Sequence, residues 1–437
     1  MRRAIPSLVA AAAVAVFGIA LLQAQSAPKR NNLIEQLADR VDRGEVQLEY
    51  KAPWGYLESL LKNLDINIDS QVLVFSRTSL QQDHISPKTP RAIFFNDTVQ
   101  VGSVQNGRVF ELMAADINDG IAFYTLDVKQ MDKPKFDRDP NLCIACHSNY
   151  YAAHAFVATV YPGVDGSPAF LGGDLFHVTD HRTPFEERWG GWYVTGTHGK
   201  MKHLGNAVAR NPYRPIELET KNTLNLTSLT SKFDTSKYLT PTSDLIALMT
   251  MEHQTRALYY MAAITEQFRA SNDVEISPNR RPDQKKLDDA VENLVSYLIF
   301  SDEAKLTDPI KGVSTFTQTF PKRGPRDTKG RSLRDFDLKT RVFKYPLSYT
   351  VYTDIFDQMH PRLKERVLSR LYEQLTRRYV PNAEDRRAAL EIVRETKPLS
   401  FRGELGVGGM LVNATVDYSQ KIGRTEALWY ARLDNLD

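Results

Sequence analysis

The stretch from Thr98 to Val128, TVQVGSVQNGRVFELMAADINDGIAFYTLDV, decides how the chain is expected to fold. Thr98 to Val104 and Arg108 to Ala114 are β-prone runs on either side of Gln105-Asn106-Gly107, a strong hairpin turn. Asn118-Asp119-Gly120 then turns the chain into Ile121 to Val128, the third strand of a meander. Working outward, Gln71 to Phe75 and Ala92 to Phe95 add two short β-prone runs. Ahead of them, Asn31 to Tyr50 and Pro53 to Leu64 repeat apolar residues every three or four positions, which predicts short helices. Residues 129–141 are polar, hold two prolines and read as a loop. From Tyr161 to Asn206 glycine, proline, histidine and aromatics crowd together without a period, the mark of an irregular segment kept for function. Helical spacing returns over Ser243 to Phe268, Asp283 to Phe300, His360 to Arg378 and Ala383 to Thr396, with a basic, irregular insert at 312–345. The expected fold class is α+β, with an antiparallel β-meander in the N-terminal part, an irregular middle segment and a mainly α-helical C-terminal half.

The N-terminus reads as an export signal. Arg2 and Arg3 precede an apolar run from Leu8 to Leu22, followed by small residues at Ala24 and Ser26 and by Pro28. That run is shorter than the roughly 20 residues a membrane-spanning helix needs. The expected division is a signal peptide at 1–26, an α+β region at 27–240 and a mainly helical region at 241–437. Membrane contact follows only if the N-terminal segment stays uncleaved. With 56 Lys and Arg against 53 Asp and Glu, the charge balance gives no reason to expect nucleic acid as a partner. Two cysteines three positions apart cannot staple distant segments, so stability must come from the core and a cofactor.

Those cysteines stand in Cys143-Ile144-Ala145-Cys146-His147, a C-x-x-C-H motif. The spacing suits covalent attachment of one haem c: two thiols three residues apart reach the two porphyrin vinyl groups, and the adjacent histidine falls under the iron as proximal ligand. A thioredoxin-like C-x-x-C would need a strand before it and a helix start at the first cysteine, and Asp139-Pro140-Asn141 does not read that way. Export agrees with haem attachment in the periplasm.

Over this motif the chain resembles the c-type cytochromes. Three further stretches resemble a group of exported bacterial single-haem proteins of unknown reaction: Asp180 to Trp192, Glu252-His253-Gln254, and Gly324-Pro325-Arg326-Asp327 to Asp337. The resemblance spans most of 90–397 and implies a haem protein with a shared fold, but no reaction. The small electron-carrier cytochromes are similar only at the motif.

The sixth iron position separates the functions. A distal His or Met closes the iron for electron transfer, while an open position binds a small molecule. His253 is the first distal candidate, on an apolar helix face with Ile246, Met249, Ala257 and Tyr260, although a histidine there is also an ordinary core residue. His198, Met201 and His203 are weaker candidates on one glycine-bounded loop. His154 lies seven residues past His147 and belongs to the proximal side. His177 and His181 could join His198 and His203 in a second metal site. Arg182 and Arg188 are candidates for pairing the haem propionates, the alternative being an internal salt-bridge network. The basic residues Arg326, Lys329, Arg331, Arg334 and Arg341 could dock an acidic redox partner or form a solvated face.

Two functions follow. One is a periplasmic monohaem cytochrome passing electrons to a redox partner protein. The other is a haem enzyme of peroxidase, oxidase or isomerase type acting on a small-molecule substrate, which the size of the chain favours. A sensor or a subunit of a larger complex is a third class.

Overall fold

A computed structural model describes residues 32–116, 118–138, 143, 147, 156–160, 176–211, 217–272, 284–377 and 380–397. The expected export signal, Cys146, His154 and the chain after 397 lie outside the described residues. The architecture is α+β, with an antiparallel sheet in the N-terminal part and helices in the C-terminal half.

Helix α1 (Leu33–Asp42) is capped by the Asn32 side chain, which accepts from the amides of Ile34 and Glu35. It ends well before Tyr50 because Gly44 takes a positive φ of 72° and closes the C-terminal turn. After α2 (Leu57–Asn63) come β1 (Val72–Val74), β2 (Arg91–Phe95), β3 (Val99–Ser103), β4 (Val109–Asp116), β5 (Gly120–Asp127) and β6 (Phe136–Arg138). Each pairs antiparallel with the next. The hairpins turn where Asn106 and Gly120 adopt left-handed backbone. β6 lies within the segment expected to be only loop, at the edge beside β5, where its exposed side chains gave no strand signal.

Just before the segment expected to lack regular structure, 161–206, comes β7 (Val157–Val160), and the segment itself contributes two short strands: β8 (Phe176–Thr179), which pairs with β7, and β9 (Trp192–Tyr193), which adds to the free edge of β1. β10 (Val208–Asn211) and β11 (Glu217–Glu219) form a separate ribbon.

The sheet alternation sorts two cores. On one face Leu73, Phe94, Val101, Leu112 and Leu126 meet Leu37, Leu60 and Leu61 of α1 and α2. On the other, Val72, Phe95, Met113, Ile121 and Phe123 share one continuous core with α3 (Leu245–Asn272), α4 (Gln284–Leu298), α7 (Pro361–Leu375) and α8 (Ala383–Thr396). The single-turn helices α5 (Phe316–Thr319) and α6 (Asp354–Asp357) line the same core. The helical half is therefore packed directly on the sheet.

Helix α3 is fixed at its start. Asp244 Oδ1 accepts from the amides of Ile246 and Ala247, while Oδ2 accepts from Val313, Ser314 and the Ser314 hydroxyl. Ser243 Oγ donates to the Tyr193 carbonyl and accepts from the Leu73 amide, tying the helix to β9 and β1. From there α3 crosses β5, β4 and β7.

Candidate functional site

Cys143 and His147 both have helical backbone. Cys143 is half-buried against the core that holds α3. The His147 ring lies between Phe123 of β5, 4.9 Å away between centroids, and Phe156, 5.1 Å away. Phe156 leads directly into β7, and α3 packs on both β5 and β7. The motif and α3 thus occupy the same side of the sheet.

Deep in that core lies an imidazole pair. His181 Nδ1 and His253 Nδ1 are 2.8 Å apart, and His253 Nε2 is 2.7 Å from Ser348 Oγ. The His253 ring is stacked on Tyr297 and Phe300, with interplanar angles of 4° and 24°. Burial lowers the pKa of His253 to about 3, and burial together with the His253 and arginine neighbours pushes His181 well down, so both rings are neutral. His181 Nε2 is buried without a hydrogen-bond partner. It faces a cavity of about 10 Å³ lined also by Arg188, Met249, Glu303 and Phe343, room for one water-sized molecule.

Arg188 sits at the centre of an internal network. Its guanidinium bonds Glu252 at 3.1 Å and the carbonyls of His181 and Thr183 at 2.9 and 2.7 Å, and both members of the ion pair are buried. Burial raises the Glu252 pKa against the opposing charge of Arg188. Arg182 is nearer the surface and grips Asp180 with two nitrogens, at 3.1 and 2.6 Å. Its Nη2 also donates to the Tyr260 hydroxyl at 3.0 Å. Burial pushes the Asp180 carboxyl up, but the hydrogen bonds and charge of Arg182, with the charge of Arg256, hold it below its ordinary value.

The glycine-bounded loop holds His198 through its own backbone and Asn225. His198 has both ring nitrogens engaged, Nδ1 with the Met201 carbonyl at 2.8 Å and Nε2 accepting from the Asn225 amide at 3.0 Å. The His203 ring lies tilted beside it at 4.7 Å and edge-on to Trp189 at 5.4 Å, and burial, then His198, lowers its pKa to about 3. Met201 is buried in the core. The structure therefore groups His198, Met201 and His203 together, pairs His253 with His181, and packs His147 against Phe123 and Phe156. The expected second metal site does not assemble: His177 Nε2 contacts the Glu187 carbonyl at 2.9 Å, while His181 is in the core. Among the described residues no three His, Cys, Asp or Glu side chains gather to hold a metal ion.

The three resemblance stretches converge. Asp180 to Trp192 meets Glu252-His253-Gln254 through the His181–His253 and Arg188–Glu252 contacts. Gln254 accepts from the Tyr349 hydroxyl, and Arg334 lies over that tyrosine ring at 4.5 Å. The basic insert is not an open cationic face. Arg326 pairs with Asp335, Lys329 and Arg331 with Glu391, Arg334 with Asp97 and Arg341 with Glu303. Sequence reasoning missed Glu252, Arg256, Tyr297, Glu303 and Ser348. For Glu252 the signal was an acid beside His253 on a helix face otherwise apolar.

Compared with protein-family models, with curated proteins and with solved structures, the chain matches none.

Proposed function

We propose that the chain is an exported, single-haem c-type cytochrome that passes electrons through a haem held covalently by Cys143 and Cys146, with His147 on the iron. One observation carries the reading. Cys143 and His147 have helical backbone four residues apart, which turns a thiol and an imidazole toward the same side, next to the core and between two aromatic rings. That donor set and its apolar walls fit a porphyrin edge. Bound there, the haem supplies a one-electron iron couple. The residues of the chain do the rest: Phe123 and Phe156 pack against the His147 ring and orient it, and the α3 core holds Cys143 in place. The reading places the protein in the periplasm, following the signal expected at 1–26, with a redox protein as partner.

A second reading is favoured by the commitments of His253 and His198. Both ring nitrogens of each are taken by other groups of the chain. An iron left open on its distal side binds small molecules, which suits a haem enzyme better than a carrier.

The test is expression in a bacterium that matures c-type cytochromes, followed by haem staining of a denaturing gel. The wild-type band stains, and Cys143→Ser with Cys146→Ser abolishes the stain. A matured wild-type chain without covalent haem overturns the proposal. Carbon monoxide added to the reduced protein separates the two readings, since only an open or weakly held iron shifts its Soret band.

A further inference from the structure

Asp180 is shared by two arginines. Arg182 holds it with two hydrogen bonds, and Arg256 Nε lies 3.8 Å from Oδ2. Both guanidiniums stand over the Tyr260 ring, at 5.7 and 4.8 Å, and Arg256 is also 4.8 Å above Tyr259. Arg256 Nε is buried and makes no hydrogen bond, and its remaining contact is a long one, 3.4 Å from Nη2 to the Tyr260 hydroxyl. The nearby Glu252 carboxylate pairs with Arg188 through Oε2, and its Oε1 makes no hydrogen bond. Two cations around one anion leave one positive charge over, and the part-exposed arginines, at 35% and 24%, present it to an incoming group.

The position of this pair relates it to the haem motif. β7 and β8 pair antiparallel with Val157 opposite Thr179, so one register step further sets Phe156 beside Asp180. Phe156 is the ring that packs on His147. Arg256 rides on α3, which crosses both β5 and β7. Asp180, which holds the arginine pair, therefore stands beside the aromatic wall of the proximal histidine.

We propose that Arg182 and Arg256 form a carboxylate-binding pair, preset by Asp180 and Tyr260, that takes an acid group at the haem segment. A planar fork with unused donors matches a carboxylate. The carboxylate comes either from the haem itself, as a propionate, or from a free carboxylate. The first source rests on the haem reading given above. Arg188, with its donors already used, is not part of the pair. Both arginines act as positioning residues.

Resonance Raman spectra of the matured protein test the first source. In wild type one propionate bending band sits at a hydrogen-bonded frequency. Arg256→Gln shifts that band, and Arg256→Lys, which keeps the charge, restores most of the shift. The second source is read by thermal melting in sodium acetate against sodium chloride at equal ionic strength. There, acetate raises the wild-type melting temperature and leaves that of Arg256→Gln unmoved. Either response supports the pair. A propionate band identical in all three proteins, together with no acetate effect, overturns it. Absence of covalent haem would defeat the cytochrome reading alone, because the acetate measurement still reports on the arginines.

Discussion

The Nδ1 atoms of His181 and His253 lie 2.8 Å apart in the buried core, and with both rings neutral one must carry the proton and the other accept it. Ser348 on the far side of His253 then donates or accepts to match. A proton added to this pair has no carboxylate bonded to either ring, and the arginines around it repel it.

Acid should therefore unfold the protein through its imidazoles. In the unfolded chain these groups titrate near the ordinary histidine value of about 6.5. In the folded chain His253 and His203 are held at about 3 and His181 well down, each chiefly by burial. Their folded values are depressed, so the stability they contribute is complete above about pH 6.5 and drains away as pH falls toward 3. Across that window the unfolded state binds the extra protons, and each imidazole that stays neutral lowers stability by about 1.4 kcal/mol per pH unit. Melting temperature should be level from pH 8 to 7 and fall steeply below 6. His203→Gln should make the fall shallower by one imidazole's share. A melting temperature that holds steady down to pH 5 would refute this account.

His253→Ala should damage the core and spare the iron. It removes a ring stacked on Tyr297 and Phe300 and a bond to Ser348, and leaves the Nδ1 of His181 without its partner. A cost of about 3 kcal/mol or more is expected by urea unfolding. Because both of its nitrogens serve the protein, the visible spectrum and spin state of the matured variant should match wild type. A change from low to high spin would return His253 to the iron.

How much of this was legible in the sequence depended on whether the signal was local. The meander strands were readable because turn residues and alternation sit within the same few positions, as at Asn106 and Gly120. The long helices α3, α4, α7 and α8 were readable from their period. β7, β8 and β9 were not, because strands of two to four residues owe their existence to partners far along the chain, such as Trp192 against Val74. The apolar face of Ile246, Met249 and His253 was foreseen, and it is buried. What His253 does there was not, because its partners His181 and Ser348 lie 72 and 95 residues away in sequence. Arg188 was read either as a propionate partner or as part of an internal network. Only the fold brings Glu252 to it.

That ion pair should behave as a buried one. Arg188→Met leaves Glu252 in the core with its main cation gone, at an expected cost of about 3–5 kcal/mol. The double replacement Arg188→Met with Glu252→Leu removes both charges together and should recover most of the loss. Urea unfolding of the two single variants and the double one gives the coupling. Simple addition of the single effects would mean that the 3.1 Å contact contributes nothing specific.

Gly191 should prove irreplaceable for docking β7, and with it the Phe156 ring against His147, onto the sheet. Its carbonyl accepts from the amides of Phe75 and Ser76, and the neighbouring Gly190 carbonyl accepts from Val160 of β7. Gly191 has a φ of 83°, and a Cβ there would run into the Val160 carbonyl oxygen and approach the Ser76 Cβ to 2.9 Å. Gly191→Ala therefore combines left-handed strain with a backbone collision that only withdrawal of β7 relieves, at least about 3 kcal/mol together. Withdrawal of β7 carries Phe156 away from His147, so the variant should lose melting temperature and, on the proposed haem reading, also alter the proximal environment of the iron. Gly44→Ala is the control. Gly44 has a similar φ of 72° but open space around its missing side chain. It should pay only the backbone strain, about 1–2 kcal/mol, and leave the iron spectrum unchanged. Equal effects from the two alanines would mean that the contact between Gly191 and β7 plays no part in holding His147.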